Sequence, residues 1–258
     1  MSGRRGPEAP VDDVARAFAA TVRDAFATRP GERFTLVLSG GPTARRCYEA
    51  LAEAGSIPPA IDWSLVSVYL GDERLVPADD PDANQLLVRE SLLARIGPVG
   101  AFRPMPTDGP AVECAAAYQR AISEVLQADG IDLIHLGMGA DGHTASLFPG
   151  SAALEAGPGE LVAATVDPNG LNPHPRLTLT LPAINRARLA VFTVEGDAKR
   201  HAVAALRSGD DIPAARVAAG DVRWLIDAAA FEGTADAAAF EGTATAAGTR
   251  WEVRAGNE

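Results

Sequence analysis

The chain has 258 residues, of which 47% are hydrophobic and 22% charged, and its formal net charge is -11. That length and apolar fraction suit one large α/β domain or two small ones, and the ordinary charged fraction argues against wholesale disorder. The negative charge argues against a nucleic-acid binder, which needs a basic face, but leaves room for a small anionic ligand held by a few converging basic residues.

The first residues, "MSGRRGPEAPVDD", lack the apolar stretch of a secretory signal, and no run approaches the roughly 18 apolar residues of a membrane span. A cytoplasmic protein with reduced thiols is expected, with residues 1–10 as a flexible arm. Cys47 and Cys114 fall in helix-like stretches with no CxxC or Cys/His cluster nearby. They are expected to be small buried thiols, part of neither a disulfide nor a zinc site.

"VDDVARAFAATVRDAFATRPG" repeats apolar residues at three- and four-residue spacing, with Asp12 or Asp13 as cap and Pro30-Gly31 as stop. "RFTLVL" (33–38) follows as a buried strand, then Ser39-Gly40-Gly41 and a helix opening on Pro42, a residue favoured in a first turn. "LVSVYL" (65–70) is a second strand, ending in Gly71-Asp72-Glu73-Arg74. "NQLLVRESLLARIG" and "AVECAAAYQRAISEVLQADG" are amphipathic helices, and "IDLIHL" (131–136) is a third core strand. "LVAATV", "RLTLTL", "LAVFTV" and "VRWLI" are further strands, with a helix at "DAKRHAVAALRSG" between the last two. Strands that alternate with helices and are apolar throughout predict a mainly parallel, Rossmann-like open sheet covered by helices on both faces. No linker divides the chain, so residues 1–227 form one domain; 228–258 form a tail. In that region "DAAAFEGTA" occupies 227–235 and again 236–244, a period too short for a solenoid, and a flexible tail is expected.

Ligands of open α/β sheets bind outside the carboxyl ends of the strands, near the switch point, and three strand ends here carry unusual polar loops. In "SGGPT", Ser39, Gly40, Gly41 and Thr43 offer backbone N–H groups and hydroxyls at a helix N-terminus, which favours an anion. In "GDER", strand alternation sends Asp72 and Arg74 to one side and Glu73 to the other. Arg74 is a candidate to hold an oxyanion, and Asp72 a candidate base or acceptor of sugar hydroxyl protons. In "GMGADGHTASLFPG", His143 falls at an expected helix start over Thr144–Ser146, whose positive end would favour the neutral imidazole that takes a proton from water. Asp141 either orients that ring or caps the helix. Arg176 and Lys199 open a later strand and helix and are candidates for an anion. His135 is placed in the core, while His174 and His201 are scattered; no metal-ligand spacing is present, and no metal is expected.

The segments "LVLSGGPT", "VYLGDERLVPADDPDAN", "IDLIHLGMGADGHTASLFPGS", "PRLTLTLPAINRA" and "VEGDAK" resemble, in order and over roughly 11–227, the 6-phosphogluconolactonase family. The resemblance implies hydrolysis of 6-phospho-D-glucono-1,5-lactone to 6-phosphogluconate in the pentose phosphate pathway, without metal or organic cofactor. It implies His143 as general base, Arg74 as the stabiliser of developing charge, and Ser39, Gly40, Gly41, Thr43, Arg176 and Lys199 as phosphate and sugar contacts. The partner is then a small sugar-phosphate lactone, and the assembly a monomer or weak homo-oligomer. Two positions depart from the family pattern: Pro42 has no N–H to offer a phosphate, and Ala83 replaces the usual serine before Asn84. A glucosamine-6-phosphate deaminase, which shares the fold, carries a glutamate five residues beyond the histidine, where this chain has Phe148. A non-catalytic sugar-phosphate binding module would have lost a catalytic group, yet Asp72, Arg74 and His143 are all present.

Overall fold

The structure, a computed structural model, describes residues 10–55, 60–231, 240–245 and 248–253; residues 1–9 of the expected arm lie outside the described residues. Helix α1 (Val14–Ala27) begins where the Asp13 side chain accepts from the Arg16 N–H, and it buries Phe18, Val22 and Phe26. Then come β1 (Phe34–Leu38), α2 (Pro42–Ala54), β2 (Val66–Leu70), β3 (Asp72–Arg74) and α3 (Asn84–Ser91). The chain continues through β4 (Ala101–Arg103), α4 (Ala111–Gln127), β5 (Ile131–Gly137), β6 (Val162–Thr165), β7 (Arg176–Leu179) and α5 (Leu181–Ile184). It closes with β8 (Ala187–Val194), α6 (Arg200–Ser208), β9 (Asp221–Ile226), α7 (Ala228–Phe231), β10 (Phe240–Thr245) and β11 (Gly248–Val253).

Six strands form the main sheet in the order β4-β2-β1-β5-β8-β9, every pair parallel. All five residues of β1 are buried, so both faces of the sheet are covered, as its unbroken apolar run requires. Strand order reverses between β1 and β5, which makes their carboxyl ends the switch point.

Three expectations need correction. β6 and β7 do not join the main sheet: with β3 they form a separate antiparallel sheet, β3-β7-β6, in which Arg74 faces Arg176 and Asp72 faces Thr178. Apolar runs announce burial but carry no information on partner or direction. "GDER" is therefore a short strand and not a free loop. The helix expected over Thr144–Ser146 is absent: a tight turn closes with Leu147 N–H donating to the Thr144 carbonyl at 2.9 Å, and Ala145 takes a φ of 47°. Any argument from a helix dipole at His143 falls with it.

Different parts of the two identical nonapeptides are described, 227–231 of the first and 240–244 of the second. In the first, Asp227 Oδ1 accepts from the Ala230 N–H at 2.8 Å and the segment forms α7, with Ala230 buried. In the second, Phe240 opens the β10–β11 hairpin. Residues 232–239 and 254–258, the rest of the expected flexible tail after α7 apart from the short link inside the hairpin, lie outside the described residues.

β1 and β5 share only a short register, Leu36 with Leu133 and Val37 with Ile134. Below it, the buried Asp132 side chain stands in for the ladder: Oδ2 accepts from Thr35 N–H and Oδ1 from Arg188 Nη1, both at 2.8 Å. Asp132→Ala leaves that N–H without an acceptor and should cost about 2–4 kcal/mol, with Asp132→Asn costing less. Urea unfolding measures the difference; equal stability for the two variants would show that Asp132 does not pin the two strands.

Candidate active site

A cleft of about 220 Å³ opens at the switch point, and residues from all three polar strand ends line it. Among them are Ser39, Gly40, Gly41, Thr43, Asp72, Arg74, His143, Arg176 and Lys199. The sequence-predicted candidates thus converge on one site. Asp141 stands directly behind His143.

The first wall is the turn from β1 into α2. Its ladder ends at Leu38, and both backbone groups of buried Ser39 turn to the Tyr48 hydroxyl: Ser39 N–H donates to it and it donates to Ser39 C=O, each at 2.8 Å. A Cβ on Gly40 would lie 1.8 Å from Asn84 Oδ1, so only glycine lets this backbone reach α3.

The second wall is β3. Alternation holds: Asp72 and Arg74 line the cleft, while Glu73 is fully buried behind them. Asp72 is engaged on every side. Oδ2 accepts from Ser146 Oγ at 2.7 Å and lies 3.7 Å from Arg176 Nη1; Oδ1 takes Asn84 Nδ2 at 3.2 Å. It is a counter-ion and organiser, and the sequence-derived option of Asp72 as a free base does not fit this environment. Glu73 accepts from the N–H groups of Arg74 (2.8 Å), Asn84 (2.7 Å) and Gln85 (2.8 Å). It therefore caps α3 from a distance, which explains why Ala83 suffices at the N-cap without a side-chain bond of its own. Burial raises the Glu73 carboxyl from an ordinary 4.5 to about 7, against three N–H groups that favour the carboxylate.

The third wall follows β5. Asp141 Oδ1 lies 2.6 Å from His143 Nδ1 and also accepts from the His143 backbone N–H at 3.1 Å. Among the described residues Nε2 has no protein partner. Burial alone would raise the Asp141 pKa, but the bonds and charge of His143 outweigh it and hold it below the ordinary 3.8. A Cβ on Gly139 would stand 2.2 Å from His143 Nδ1 and 2.5 Å from Asp141 Oδ1, so glycine at this position makes room for the pair. Phe148 is fully buried with its ring centroid 4.9 Å from that of His143, a packing partner that carries no proton.

The cleft is rich in incompletely paired cations. Arg176 is 7% exposed; its Nη2 meets Asn172 Oδ1 at 3.3 Å and its Nε, like that of Arg74, is buried without a partner. Burial lowers the Arg176 pKa, with Asp72 opposing. Lys199 stands in the turn before α6 and makes no ion pair among the described residues. Burial lowers its pKa from the ordinary 10.5, with Asp141 opposing. A protein of charge -11 thus keeps three cations in one cleft. Glu195, also on the wall, is paired with Arg46.

Sequence reasoning missed Tyr48, Ser146, Asn172 and Thr193, whose roles depend on contacts between distant segments. His135, placed in the core, is 1% exposed as expected but also lines the floor of the cleft. His174 pairs with Asp82 at 2.9 Å and His201 is exposed on α6; neither lines the cleft. Among the described residues no group of three or more His, Cys, Asp or Glu side chains could hold a metal, and no helix is long and apolar enough to cross a membrane. Cys47 and Cys114 are both buried and free.

Fold and site together define an open-sheet α/β protein with a small cation-lined cleft and an Asp–His pair at its switch point. The chain belongs to the glucosamine-6-phosphate isomerase/6-phosphogluconolactonase family, whose profile matches residues 5–225. It is 38% identical over 210 residues to a 6-phosphogluconolactonase of Synechocystis sp., covering 77% of this chain and 83% of that protein. It is 36% identical over 231 residues to a 6-phosphogluconolactonase of Mycobacterium leprae, covering 84% and 91%. The crystal structure of a 6-phosphogluconolactonase from Thermotoga maritima superposes with a TM-score of 0.74 at 29% identity, covering 86% of this chain and 99% of that one.

The Glu73 pKa has a consequence for stability. Between about pH 4.5 and 7 the folded chain holds a proton on Glu73 that the unfolded chain has released, so this group makes stability fall as pH rises through that window. Glu73→Gln should remove that contribution, while its amide, unable to accept from the Gln85 N–H, costs about 1–2 kcal/mol at low pH. Urea unfolding of both proteins from about pH 4 to 8 gives the difference; a difference constant across the window would show that Glu73 does not titrate there.

Proposed function

We propose that His143 is the general base of a 6-phosphogluconolactonase, activating the water that opens 6-phospho-D-glucono-1,5-lactone to 6-phosphogluconate in the pentose phosphate pathway. The observation that carries this reading is the 2.6 Å contact of His143 Nδ1 with Asp141, across a cleft that also holds Arg74, Arg176 and Lys199. An acceptor carboxylate at Nδ1 favours the proton there and leaves the Nε2 lone pair for water. Nε2 takes the water proton as oxygen attacks the lactone carbonyl; the tetrahedral oxyanion collapses, the ring C–O bond breaks, and the imidazolium returns the proton to the departing ring oxygen. Arg74, with a buried Nε lacking a protein partner, is suited to steady the oxyanion. Arg176, Lys199 and the turn of Ser39, Gly40, Gly41 and Thr43 supply the charge and N–H groups for the substrate phosphate. Pro42 withdraws one donor from that turn, and the two half-buried or buried cations compensate. The family and its named relatives support the reaction, and Phe148 beside His143 speaks against a deaminase relay, since it holds no proton. No organic cofactor or metal is called for by these steps. The protein acts in the cytoplasm as a monomer or weak homo-oligomer.

Hydrolysis of freshly generated lactone, coupled to 6-phosphogluconate dehydrogenase and corrected for spontaneous opening, tests the proposal. His143→Ala should lose on the order of 10²–10⁴ in kcat. Asp141→Asn should fall in kcat with KM nearly kept, and Lys199→Ala should raise KM roughly tenfold with kcat nearly kept. Full activity in His143→Ala would remove it as the base, and a wild type no faster than background would remove the lactonase reading.

A further inference from the structure

On the cleft floor a second histidine is held in a polar network that the mechanism above does not use. His135, in β5, is 1% exposed; its Nδ1 lies 2.8 Å from Tyr48 Oη and its Nε2 lies 2.8 Å from Thr193 Oγ1. The Phe18 ring tilts over it at a centroid distance of 4.2 Å, and the Tyr48 ring meets it edge-on at 5.4 Å. Four elements therefore converge on one imidazole: α1, α2, β5 and β8.

Counting protons decides how it is bonded. Tyr48 Oη has three partners at 2.8 Å: Ser39 N–H, Ser39 C=O and His135 Nδ1. The hydroxyl owns one proton and two lone pairs. Ser39 N–H can only donate, so it occupies one lone pair. Ser39 C=O can only accept, so it takes the hydroxyl proton. One lone pair remains, and His135 Nδ1 must meet it as a donor. In a neutral ring Nε2 is then bare, and Thr193 donates its hydroxyl proton there. The opposite tautomer sets lone pair against lone pair at Nδ1, or else takes the hydroxyl proton away from Ser39 C=O, at groups that are almost wholly buried. An imidazolium would also satisfy the count on the tyrosine side, but burial pushes the His135 pKa down to about 3 and removes it at working pH.

We infer that His135 is a positioning residue for the anion-binding turn: as the Nδ1–H tautomer it locks the Tyr48 hydroxyl in the one orientation that clamps both backbone groups of Ser39. The assignment rests on the reading of residues 39–43 as a phosphate contact. The clamp sits immediately after the last ladder residue of β1, where the chain leaves the sheet and presents Gly40 and Gly41 to the cleft. With no charge of its own, His135 attracts no phosphate directly and acts through Tyr48. Its effect belongs in affinity for the anion and not in the chemical step.

Substitution separates the two ring nitrogens. Asparagine places an amide N–H where Nδ1 stands, whereas glutamine reaches to where Nε2 stands. His135→Asn should keep the donor to Tyr48 and stay within about threefold of wild type in KM and in Kd for inorganic phosphate. His135→Gln and Tyr48→Phe should each raise both values roughly tenfold with kcat within about twofold, provided thermal unfolding shows them folded. On the unmodified protein, ¹⁵N spectra of His135 should show Nδ1 protonated and Nε2 bare, against the Nε2–H form that free imidazole favours. This last measurement needs no variant. An Nε2–H tautomer, a His135→Gln protein with wild-type KM and phosphate affinity, or a fall in kcat at constant KM would each overturn the inference. Phosphate binding that responds as expected in a protein without lactonase turnover would instead count against the proposed reaction and leave the clamp standing.

Discussion

The Asp72 carboxylate, 4% exposed, is where four separate segments of the chain are tied together. It holds Asn84 at the start of α3, Ser146 in the turn after β5, and Arg176 on β7, while its own backbone is paired in β3. Without it the small antiparallel sheet, the α3 entrance and the turn after the Asp141–His143 loop have no common anchor. A buried ion pair seldom stabilises a fold over well-packed apolar groups, because desolvation takes back most of the Coulomb energy. The pair here is poorer still, at 3.7 Å with Arg176 Nε unpartnered. Such an arrangement is a poor device for stability, and it leaves Arg176 with donor capacity unused by the protein. Its cost is met elsewhere, by a main sheet whose central strands are buried on both faces.

The same logic sets the electrostatics of the cleft. Arg74, Arg176 and Lys199 would repel one another if left in a dry pocket without counter-charge. Asp72 offsets Arg176, and Asp141 acts on Lys199 from a distance while remaining bonded to His143. The carboxylates present are thus each committed to a protein partner. What is left open is mostly donor capacity, in guanidinium N–H, ammonium and the backbone of the 39–43 turn, beside two buried acceptor atoms without a partner, Asn84 Oδ1 and Asp141 Oδ2. In the proposed function, that surplus of cations is what a dianionic, hydroxyl-bearing ligand would meet, whatever the net charge of the surface around it.

Much of this was legible in the sequence because strand ends have a simple grammar. Apolar runs of five to seven residues marked β1, β2, β5 and β8, and the polar residues directly after them mark the edge where ligands bind in such sheets. The glycine at 139 lies inside the quoted motif, and the structure gives its reason in the space claimed by the Asp141–His143 pair. Other features were not legible. β6 and β7 look like core strands because they are buried, yet burial says nothing of pairing. The turn at 144–147 looks like a helix start because its residues are small and polar; the Thr178 hydroxyl, 32 positions away, accepts the Ser146 N–H and holds a different path. Glu73 appeared as one charge among three, and only the fold shows it capping a helix that starts eleven residues later.

His135 and His143 belong to one strand and its following loop, and their environments assign them opposite uses. His143 is partly exposed, with a carboxylate on one nitrogen and the cleft before the other. That is the arrangement the proposed base calls for, with the Asp141 carboxylate bonded to Nδ1 and Nε2 left to the cleft. His135 has oxygen partners on both nitrogens, aromatic rings on its flanks and no carboxylate bonded to it, so protonation has nothing to offset the loss of hydration. In the proposed mechanism the first ring takes up a proton during turnover, while the second stays neutral. The fold separates them by sheet geometry: alternation along β5 points His135 into the layer of α1 and α2, whereas past the strand's end at Gly137 the backbone is free to swing Asp141 and His143 over the cleft. A change of one residue in the length of β5 would exchange those faces, which is why the glycine-rich turn begins where the ladder with β8 stops, at Gly137.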